Sequence, residues 1–324
     1  MRVIEIFAGA GGAALGLKRA GLQHHALVER DAAACRTLRA AGLGPVLECD
    51  VRHLDQVARV VTALDAPDLL WSSWPCQPWS TAGRSKGAQD DRNGWPWTVD
   101  ALDRFRPRWF IGENVRGLLE HRKDGHPDPF RCPRCYFERV ILAQLQARFA
   151  AVGWYLIDCA DLGLPQHRRR VIVWAGPTAL PAPPATHTNP KAAKQCTMFG
   201  PGLSPWISIG EALGLEASGT RPEYAARPAA TVTTNEWKGS DDKYRSADET
   251  PQMNKASDSL WLATGRYRLT VDECATLQGM DGWPFQGTKQ ERHRQIGNAV
   301  PPVLAEAIGR TLLQTDRLHK EGKV

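Results

Sequence analysis

Short apolar runs, separated by glycine turns and amphipathic segments, dominate the first half of the chain. Residues 3–7 are predicted to form a strand, 8–12 a glycine turn and 13–20 a helix that Gly21 ends. Further strands are predicted at 26–28, 46–48, 68–73, 108–112, 154–157 and 171–174, and helices at 97–105 and 136–151. Strands alternating with helices predict an α/β fold with a doubly wound sheet.

The pattern changes after residue 176. Residues 177 to about 265 lack sustained helical periodicity, and prolines interrupt short β-prone pieces such as 231–234. A smaller, irregular, β-rich domain is expected here. Thr270 and Glu273 then form the signature of a capping box that opens a helix, and residues 303–313 form an amphipathic helix.

Composition narrows the possible classes only slightly. The 324 residues are 42% hydrophobic and 23% charged, as is typical of globular proteins. The net charge of +6 permits a polyanionic partner such as nucleic acid. The eight cysteines are scattered, which favours reduced thiols and a cytoplasmic protein, and no apolar stretch approaches a membrane-spanning length.

A glycine turn after the first strand is a candidate cofactor site. Residues 9–14 satisfy the pattern G-x-G-x-x-A, and Glu29 follows about 20 residues later at the end of the second predicted strand. Such glycines let the backbone approach a cofactor, and the acidic side chain accepts hydrogen bonds from ribose hydroxyls. The pattern suits NAD as well as S-adenosylmethionine, and a plain strand-to-helix turn also satisfies it.

Candidate reactive side chains follow later strands. Cys76 lies between Pro75 and Pro78, which stiffen the backbone around a possible nucleophile, although most lone cysteines are buried and inert. Glu113 follows the strand predicted at 108–112 and would reach the same sheet edge, where it could also serve as a helix cap or an ion-pair partner. The basic run 166–170 could be a solvated turn.

A separate group of metal-ligand residue types occupies positions 121–135. His121, His126, Cys132 and Cys135 would supply the four nitrogen and sulfur ligands that structural zinc requires. The spacing is not that of a standard zinc finger, and an exposed loop with a chance pair of cysteines is the alternative.

Taken in order, the motifs resemble those of the DNA (cytosine-5)-methyltransferases over nearly the whole chain. The stretches that carry the resemblance are Phe-Ala-Gly-Ala-Gly-Gly at 7–12, Pro-Cys-Gln-Pro-Trp-Ser at 75–80, Glu-Asn-Val at 113–115, Gln-His-Arg-Arg-Arg at 166–170 and Gln-Ile-Gly-Asn-Ala-Val-Pro-Pro at 295–302. The chain departs from the usual family pattern at Glu5, where Asp is commoner, at Trp79, where Phe is usual, and at Met280 and Asp281, which replace Phe-Pro.

The resemblance implies a Rossmann-like fold with a mixed sheet. It implies a catalytic domain formed by residues 1–176 plus about 290–324, and a target-recognition domain at about 177–289. The implied cofactor is S-adenosyl-L-methionine. Its implied contacts are Phe7 on the adenine, Glu29 on the ribose, Asp50 on the adenine amino group, Asn298 near the amino-acid moiety, and the loop glycines Gly9, Gly11 and Gly12.

The resemblance also implies a mechanism on a cytosine flipped out of double-stranded DNA. Cys76 would add to carbon 6, Glu113 would act at nitrogen 3, Arg170 would hold the carbonyl oxygen and Arg168 would brace the site, while residues 81–93 would close as a lid. A cognate restriction endonuclease is an expected partner. The alternatives are a tRNA cytosine methyltransferase on the same scaffold, an NAD-dependent oxidoreductase and a non-catalytic DNA-binding relative.

Overall fold

The computed structural model describes most, though not all, of the chain. It covers residues 1–53, 55, 57, 66–75, 90–121, 130, 132–190, 192–193, 202–215, 222–234, 256, 259–260, 263 and 269–324. The candidate nucleophile Cys76, the candidate ligand His126 and positions 81–89 of the predicted lid lie outside the described residues.

A mixed sheet forms the centre of the described structure. Its seven strands are β1 Arg2–Ile6, β2 Gln23–Glu29, β3 Val46–Glu48, β4 Leu69–Ser72, β5 Trp109–Val115, β6 Ala151–Asp158 and β7 Arg169–Gly176. The order is β3-β2-β1-β4-β5-β7-β6, with β7 antiparallel to both of its neighbours and the other pairs parallel. The order reverses between β1 and β4, and ligands bind at such a switch point in open α/β sheets.

Helices cover both faces of this sheet, which confirms the predicted α/β class. They are α1 Gly12–Arg19, α2 Ala32–Ala41, α3 Trp95–Phe105, α4 Pro133–Tyr136, α5 Ala143–Gln146, α6 Ile209–Leu213, α7 Val271–Leu277, α8 Lys289–Asn298 and α9 Pro302–Lys320. The single helix predicted at 136–151 is instead α4 and α5 joined by a π-helical segment, Phe137–Leu142. A π-helical turn has the same apolar pattern as an α-helix over so short a stretch, so periodicity does not distinguish them.

Successive strand residues pack on opposite faces of the sheet, as the alternation of side chains requires. Ile4, Ile6 and Leu70 join a cluster with residues of α3 and of the π-helical segment. Val3 and Trp71 join a second cluster on the other face, with residues of α1 and α9. Each cluster is one layer of a doubly wound core.

Glycines of α1 allow this helix to pack closely against the backbone at the start of α9. A Cβ on Gly12 would lie 2.1 Å from the Val300 carbonyl oxygen, and a Cβ on Gly16 would lie 2.2 Å from that of Pro302. Leu17 of α1 and Ile308 of α9 share the same buried cluster. Helix α9 therefore packs directly on the first βα unit, although nearly 300 residues separate them in sequence.

The described part of the interval 177–289 is largely irregular. It holds two parallel two-residue strands, β8 His187–Thr188 and β9 Ser204–Pro205, together with α6, α7 and a 3₁₀ turn at Pro222–Ala226. Its buried cluster includes Ile296 of α8, which lies outside this interval. Among the described residues, none of the helices combines the length and apolar character needed to cross a bilayer.

Replacing Gly16 with alanine tests the α1–α9 contact. The new Cβ would meet the carbonyl oxygen of Pro302, and backbone cannot move aside cheaply, so we expect Gly16→Ala to lower the free energy of unfolding by about 1–3 kcal/mol despite the better helix propensity of alanine. Urea denaturation measures the change. Lys18→Ala, at an exposed position of the same helix, should leave stability nearly unchanged. Equal stability of the two variants would contradict the close packing.

Candidate active site

One cavity of about 880 Å³ lies at the carboxyl ends of β1 and β4. This volume is typical of a site for a cofactor-sized ligand. The predicted site residues in its wall are Phe7, Gly9, Glu29, Asp50, Glu113, Arg168, Arg170 and Asn298. Residues 231–234 of the irregular region also line it, so the cavity lies between the sheet and that region.

The turn after β1 forms one end of the cavity. Phe7 lines the cavity and has φ 57°, a left-handed conformation that is costly for an aromatic residue. Gly9 also has positive φ, and a Cβ built there would meet nothing within 4 Å. The backbone of this turn is thus open to a ligand.

Backbone N–H groups hold the Glu29 carboxylate at the end of β2. Its Oε2 accepts a hydrogen bond from Gly9 N at 2.8 Å, and its Oε1 accepts from Arg30 N and Asp31 N, both at 2.8 Å. These bonds orient the carboxylate within the cavity wall. Glu29 also ties the glycine turn to β2.

Asp50 lies beyond β3, between two arginines. Its Oδ2 accepts hydrogen bonds from Arg52 at 2.8 Å and from Arg30 at 3.1 Å. The hydrogen bond from Arg52 is the main reason that the pKa of Asp50 lies below its ordinary value. The side chain is therefore an ionised acceptor at the cavity edge.

Gly11 and Gly12 do not line the cavity, although they belong to the same glycine turn. Gly11 has φ 87°, and its Cβ would lie 2.7 Å from Leu38 of α2. Gly12 contacts the chain near Val300. Their role in the structure is to permit close packing behind the turn, while Gly9 faces the ligand space.

The chain that leads into Cys76 is held tightly. Asn114 Nδ2 donates a hydrogen bond to the Trp74 carbonyl oxygen at 3.1 Å, and the Trp74 ring packs edge-on against Trp95 at a centroid distance of 5.1 Å. A Cβ on Gly94 would lie within 2.9 Å of Phe7, Pro75 and Trp74. Pro75 therefore has a defined place in the cavity wall, immediately before Cys76.

Glu113 and Arg170 form a buried ion pair in the same cavity. Arg170 Nε lies 2.8 Å from Glu113 Oε1, and both side chains are about nine-tenths buried. Glu113 lies within β5 rather than after it, and Arg170 is paired in register with Val115, two residues further along β5. Residues so related share a face of the sheet. The two side chains meet because β7 is antiparallel, so that it begins where β5 ends.

Burial sets the protonation behaviour of Glu113. Desolvation raises the pKa of this carboxyl above its ordinary value, and the charges of Arg170 and Arg168 only partly oppose the increase. A raised pKa increases the protonated fraction of a carboxyl at any given pH and so favours a role as proton donor.

Arg168 connects the sheet to two distant segments. Its Nη1 donates to the Val232 carbonyl oxygen at 2.9 Å, and its Nη2 donates to those of Gly297 and Ala299 at 2.8 and 2.9 Å. The side chain is almost fully buried. It therefore fixes the irregular region and the end of α8 against the cavity.

Two residues that sequence analysis did not single out support the same region. Gln278 Nε2 donates to the Ala299 carbonyl oxygen at 2.7 Å, and Gln278 Oε1 accepts from Gln166 at 2.8 Å. Trp283 Nε1 donates to the Ala10 carbonyl oxygen in the glycine turn at 2.8 Å. Both follow α7, and no local pattern in the sequence indicates partners that lie 21, 112 and 273 residues away.

The candidate metal ligands among the described residues are also close together. The ligand atoms of His121, Cys132 and Cys135 all lie within 4.8 Å of one another. They lie beyond β5, at the start of α4.

The sheet topology and the cavity at its switch point define a Rossmann-like protein with a ligand site at the carboxyl ends of its strands. A family model described as C-5 cytosine-specific DNA methylase matches residues 1–259 and 216–314. The chain belongs to this family. It is a DNA (cytosine-5-)-methyltransferase, and the family reaction transfers a methyl group from S-adenosyl-L-methionine to carbon 5 of cytosine.

Individual relatives agree with this assignment. The Type II methyltransferase M.NgoMIV of Neisseria gonorrhoeae is 33% identical over 98% of both chains, and M.NaeI of Lentzea aerocolonigenes is 33% identical over 100% of this chain and 77% of its own. Two solved structures share the fold. A mutant of Spodoptera frugiperda DNMT2 has a TM-score of 0.63 at 15% identity, covering 96% of this chain and 99% of its own. The Entamoeba histolytica methyltransferase EhMeth has a TM-score of 0.63 at 16% identity, covering 97% and 98%.

Replacing Arg168 with methionine tests its bracing role. The substitution would leave the carbonyl groups of Val232 and Gly297 without this donor, and that of Ala299 with the bond from Gln278 alone, so we expect a loss of about 3 kcal/mol in the free energy of unfolding.

Arg169→Met is the matched control, because Arg169 is half exposed and pairs with Asp158 at the surface. Arg169→Met should lower the free energy of unfolding by less than about 1 kcal/mol, and urea denaturation of both variants measures the difference. Equal losses in the two variants would refute the bracing role.

Proposed function

We propose that the chain methylates a cytosine flipped out of double-stranded DNA, through a transient bond between Cys76 and carbon 6. The observation that carries the proposal is the buried pair of Glu113 and Arg170 in the cavity wall that also contains Pro75. An acid with a raised pKa and a planar guanidinium suit the nitrogen 3 and carbonyl edge of cytosine. Cys76 itself lies outside the described residues.

The cofactor would occupy the end of the cavity formed by the turn after β1. The open space at Gly9 admits a ligand close to the backbone, the Glu29 carboxylate is available to ribose hydroxyls, and Asp50 to the adenine amino group. Phe7 would stack on the adenine, and Asn298 would lie near the amino-acid moiety. S-adenosyl-L-methionine supplies the methyl group as an electrophilic sulfonium.

The protein residues make carbon 5 of cytosine reactive. Carbon 5 alone is too weak a nucleophile, so the Cys76 thiolate adds at carbon 6 while Glu113 gives a proton or a hydrogen bond to nitrogen 3. Arg170 holds the carbonyl oxygen in one orientation, and Arg168 braces the site. Electron density then collects at carbon 5. After methylation, loss of the carbon-5 proton expels the sulfur of Cys76.

Double-stranded DNA is the proposed substrate, and the base must leave the stack to reach this cavity. Extrusion costs roughly a few kcal/mol, which contacts to the protein would offset. Residues 81–93 would form the lid. Residues 177–289 would read the target sequence, and residues 1–176 with 290–324 would form the catalytic domain, a division supported by the packing of α9 on α1.

The Type II relatives support a place in a restriction-modification system. A cognate restriction endonuclease would then be the partner, and the bacterial cytoplasm the location. A zinc ion at the His121 group would stabilise the fold and take no part in methyl transfer, because the reaction proposed above uses only the thiol, carboxyl and guanidinium groups.

Replacing Glu113 with glutamine tests the acid. Glutamine keeps the shape but cannot transfer a proton, so kcat should fall about 100-fold or more. The protonated form of the wild-type acid is fully present below its raised pKa and is lost as the pH rises through it. The wild-type rate should therefore decline on the alkaline side, and Glu113→Gln should lose that decline.

Glu120→Gln removes an exposed carboxylate whose partner is Arg116 and serves as the control. It should leave both kcat and the pH profile unchanged. An alkaline decline that persists in Glu113→Gln would assign the titration to another group.

A duplex that carries 5-fluorocytosine tests the covalent step. Fluorine replaces the carbon-5 proton, so the adduct cannot eliminate the sulfur and should remain as a stable complex that mass spectrometry maps to Cys76. Cys76→Ser should form no adduct, and Cys274→Ala should form it normally. If transfer RNA is modified and duplex DNA is not, the substrate proposal is wrong. If ordinary DNA is methylated but no adduct forms, the nucleophile is wrong.

A further inference from the structure

The group formed by His121, Cys132 and Cys135 lies outside the cavity and has no role in the proposed reaction. Its ligand atoms lie within 4.8 Å of one another, and Cys132 Sγ lies 3.7 Å from His121 Nδ1. A nitrogen at about 2.1 Å and a sulfur at about 2.3 Å from a tetrahedral zinc ion are about 3.6 Å apart. The observed separation fits two corners of one coordination tetrahedron.

The local backbone brings these residues together. Cys132 is the N-cap of α4, Pro133 starts the helix, and Cys135 follows within its first turn, so both sulfurs lie at one helix end. Arg134 N donates a hydrogen bond to the Glu120 carbonyl oxygen at 3.3 Å, which places His121 beside the helix start. Two separate stretches of chain thus converge on the same point. Neither of these described cysteines is in a disulfide.

We propose that His121, Cys132 and Cys135 bind one structural Zn²⁺ ion. Thiolate and imidazole ligands favour zinc over Mg²⁺ and Ca²⁺, which prefer oxygen ligands. The Cys-x-x-Cys spacing is that of structural zinc sites, which take four protein ligands. The three described residues would supply three of the four corners of the tetrahedron.

The ion would stabilise the segment between the end of β5 and α4. Glu113 lies on β5, and His121 follows that strand by six residues. At the other end, Tyr136 of α4 has its hydroxyl oxygen within 3.1 Å of Asn93 Nδ2, and Asn93 lines the cavity. Metal binding therefore stabilises a region that contacts the active site without coordinating any part of it.

The test is the metal content of the full chain, purified without a polyhistidine tag and without chelators. Inductively coupled plasma mass spectrometry should find about one zinc per chain. His121→Ala and Cys135→Ser should each lower zinc affinity at least tenfold. Because His121 is exposed, its replacement should not disturb packing, which separates metal loss from misfolding. Cys274→Ala, at a buried cysteine of another cluster, should retain the zinc.

Two further measurements give independent results. Co²⁺ exchanged into the wild-type protein should show the intense visible absorption of a tetrahedral site and a sulfur-to-metal charge-transfer band, and Cys135→Ser should weaken the latter. Chelation should lower the thermal unfolding midpoint of the wild type and leave that of His121→Ala unchanged.

The proposal is overturned if the wild type stays free of zinc after incubation with a molar excess, or if Cys135→Ser binds zinc as tightly as the wild type. A Cys132–Cys135 disulfide in freshly purified protein would also overturn it, because oxidised sulfurs are not thiolate ligands. None of these results depends on methyl transfer, so the proposed function stands or fails separately.

Discussion

The buried hydrogen bonds around Arg168 hold together three parts of the chain that have little regular structure in common. Its guanidinium reaches carbonyl groups at Val232, Gly297 and Ala299, and Gln166 and Gln278 extend the same network. A buried network of this kind is stable only when its members are satisfied. Because hydrogen bonds are directional, the network favours one arrangement of the irregular region on the sheet, whereas apolar packing alone would tolerate several.

The three consecutive arginines at 168–170 have three different surroundings. Arg168 faces inward to the network, Arg169 is exposed beside Asp158, and Arg170 faces Glu113. Side chains along a strand point alternately to opposite sides. One short basic run can therefore brace the fold, meet solvent and line the cavity at once. The contribution of an arginine to stability therefore depends on whether it is buried or exposed, which composition alone does not reveal.

The success of sequence analysis differed between elements for physical reasons. Strand β3 at Val46–Glu48 and the capping box of Thr270 with Glu273 were predicted correctly, because their signals are local. Helix α2 was missed because the buried residues of its stripe are small except for Leu38, and α8 because only His293, Gln295 and Ile296 of its polar sequence are buried. Recognisable motifs supplied Phe7, Gly9, Glu113, Arg168, Arg170 and Asn298 among the positions that line the cavity. The long-range bonds of Gln278 and Trp283 had no local signal, since tertiary packing alone creates them.

The antiparallel course of β7 sets a rule for how chain length can vary near the site. The segment 159–168 that joins β6 to β7 is itself constrained, because its buried side chains Gln166 and Arg168 bond to distant parts of the chain. Within β7, one inserted or deleted residue before Val171 would turn the arginine now facing Glu113 toward the other side of the sheet. The strand end is therefore fixed twice, by the contacts that precede it and by the alternation of side chains that carries Arg170 to Glu113.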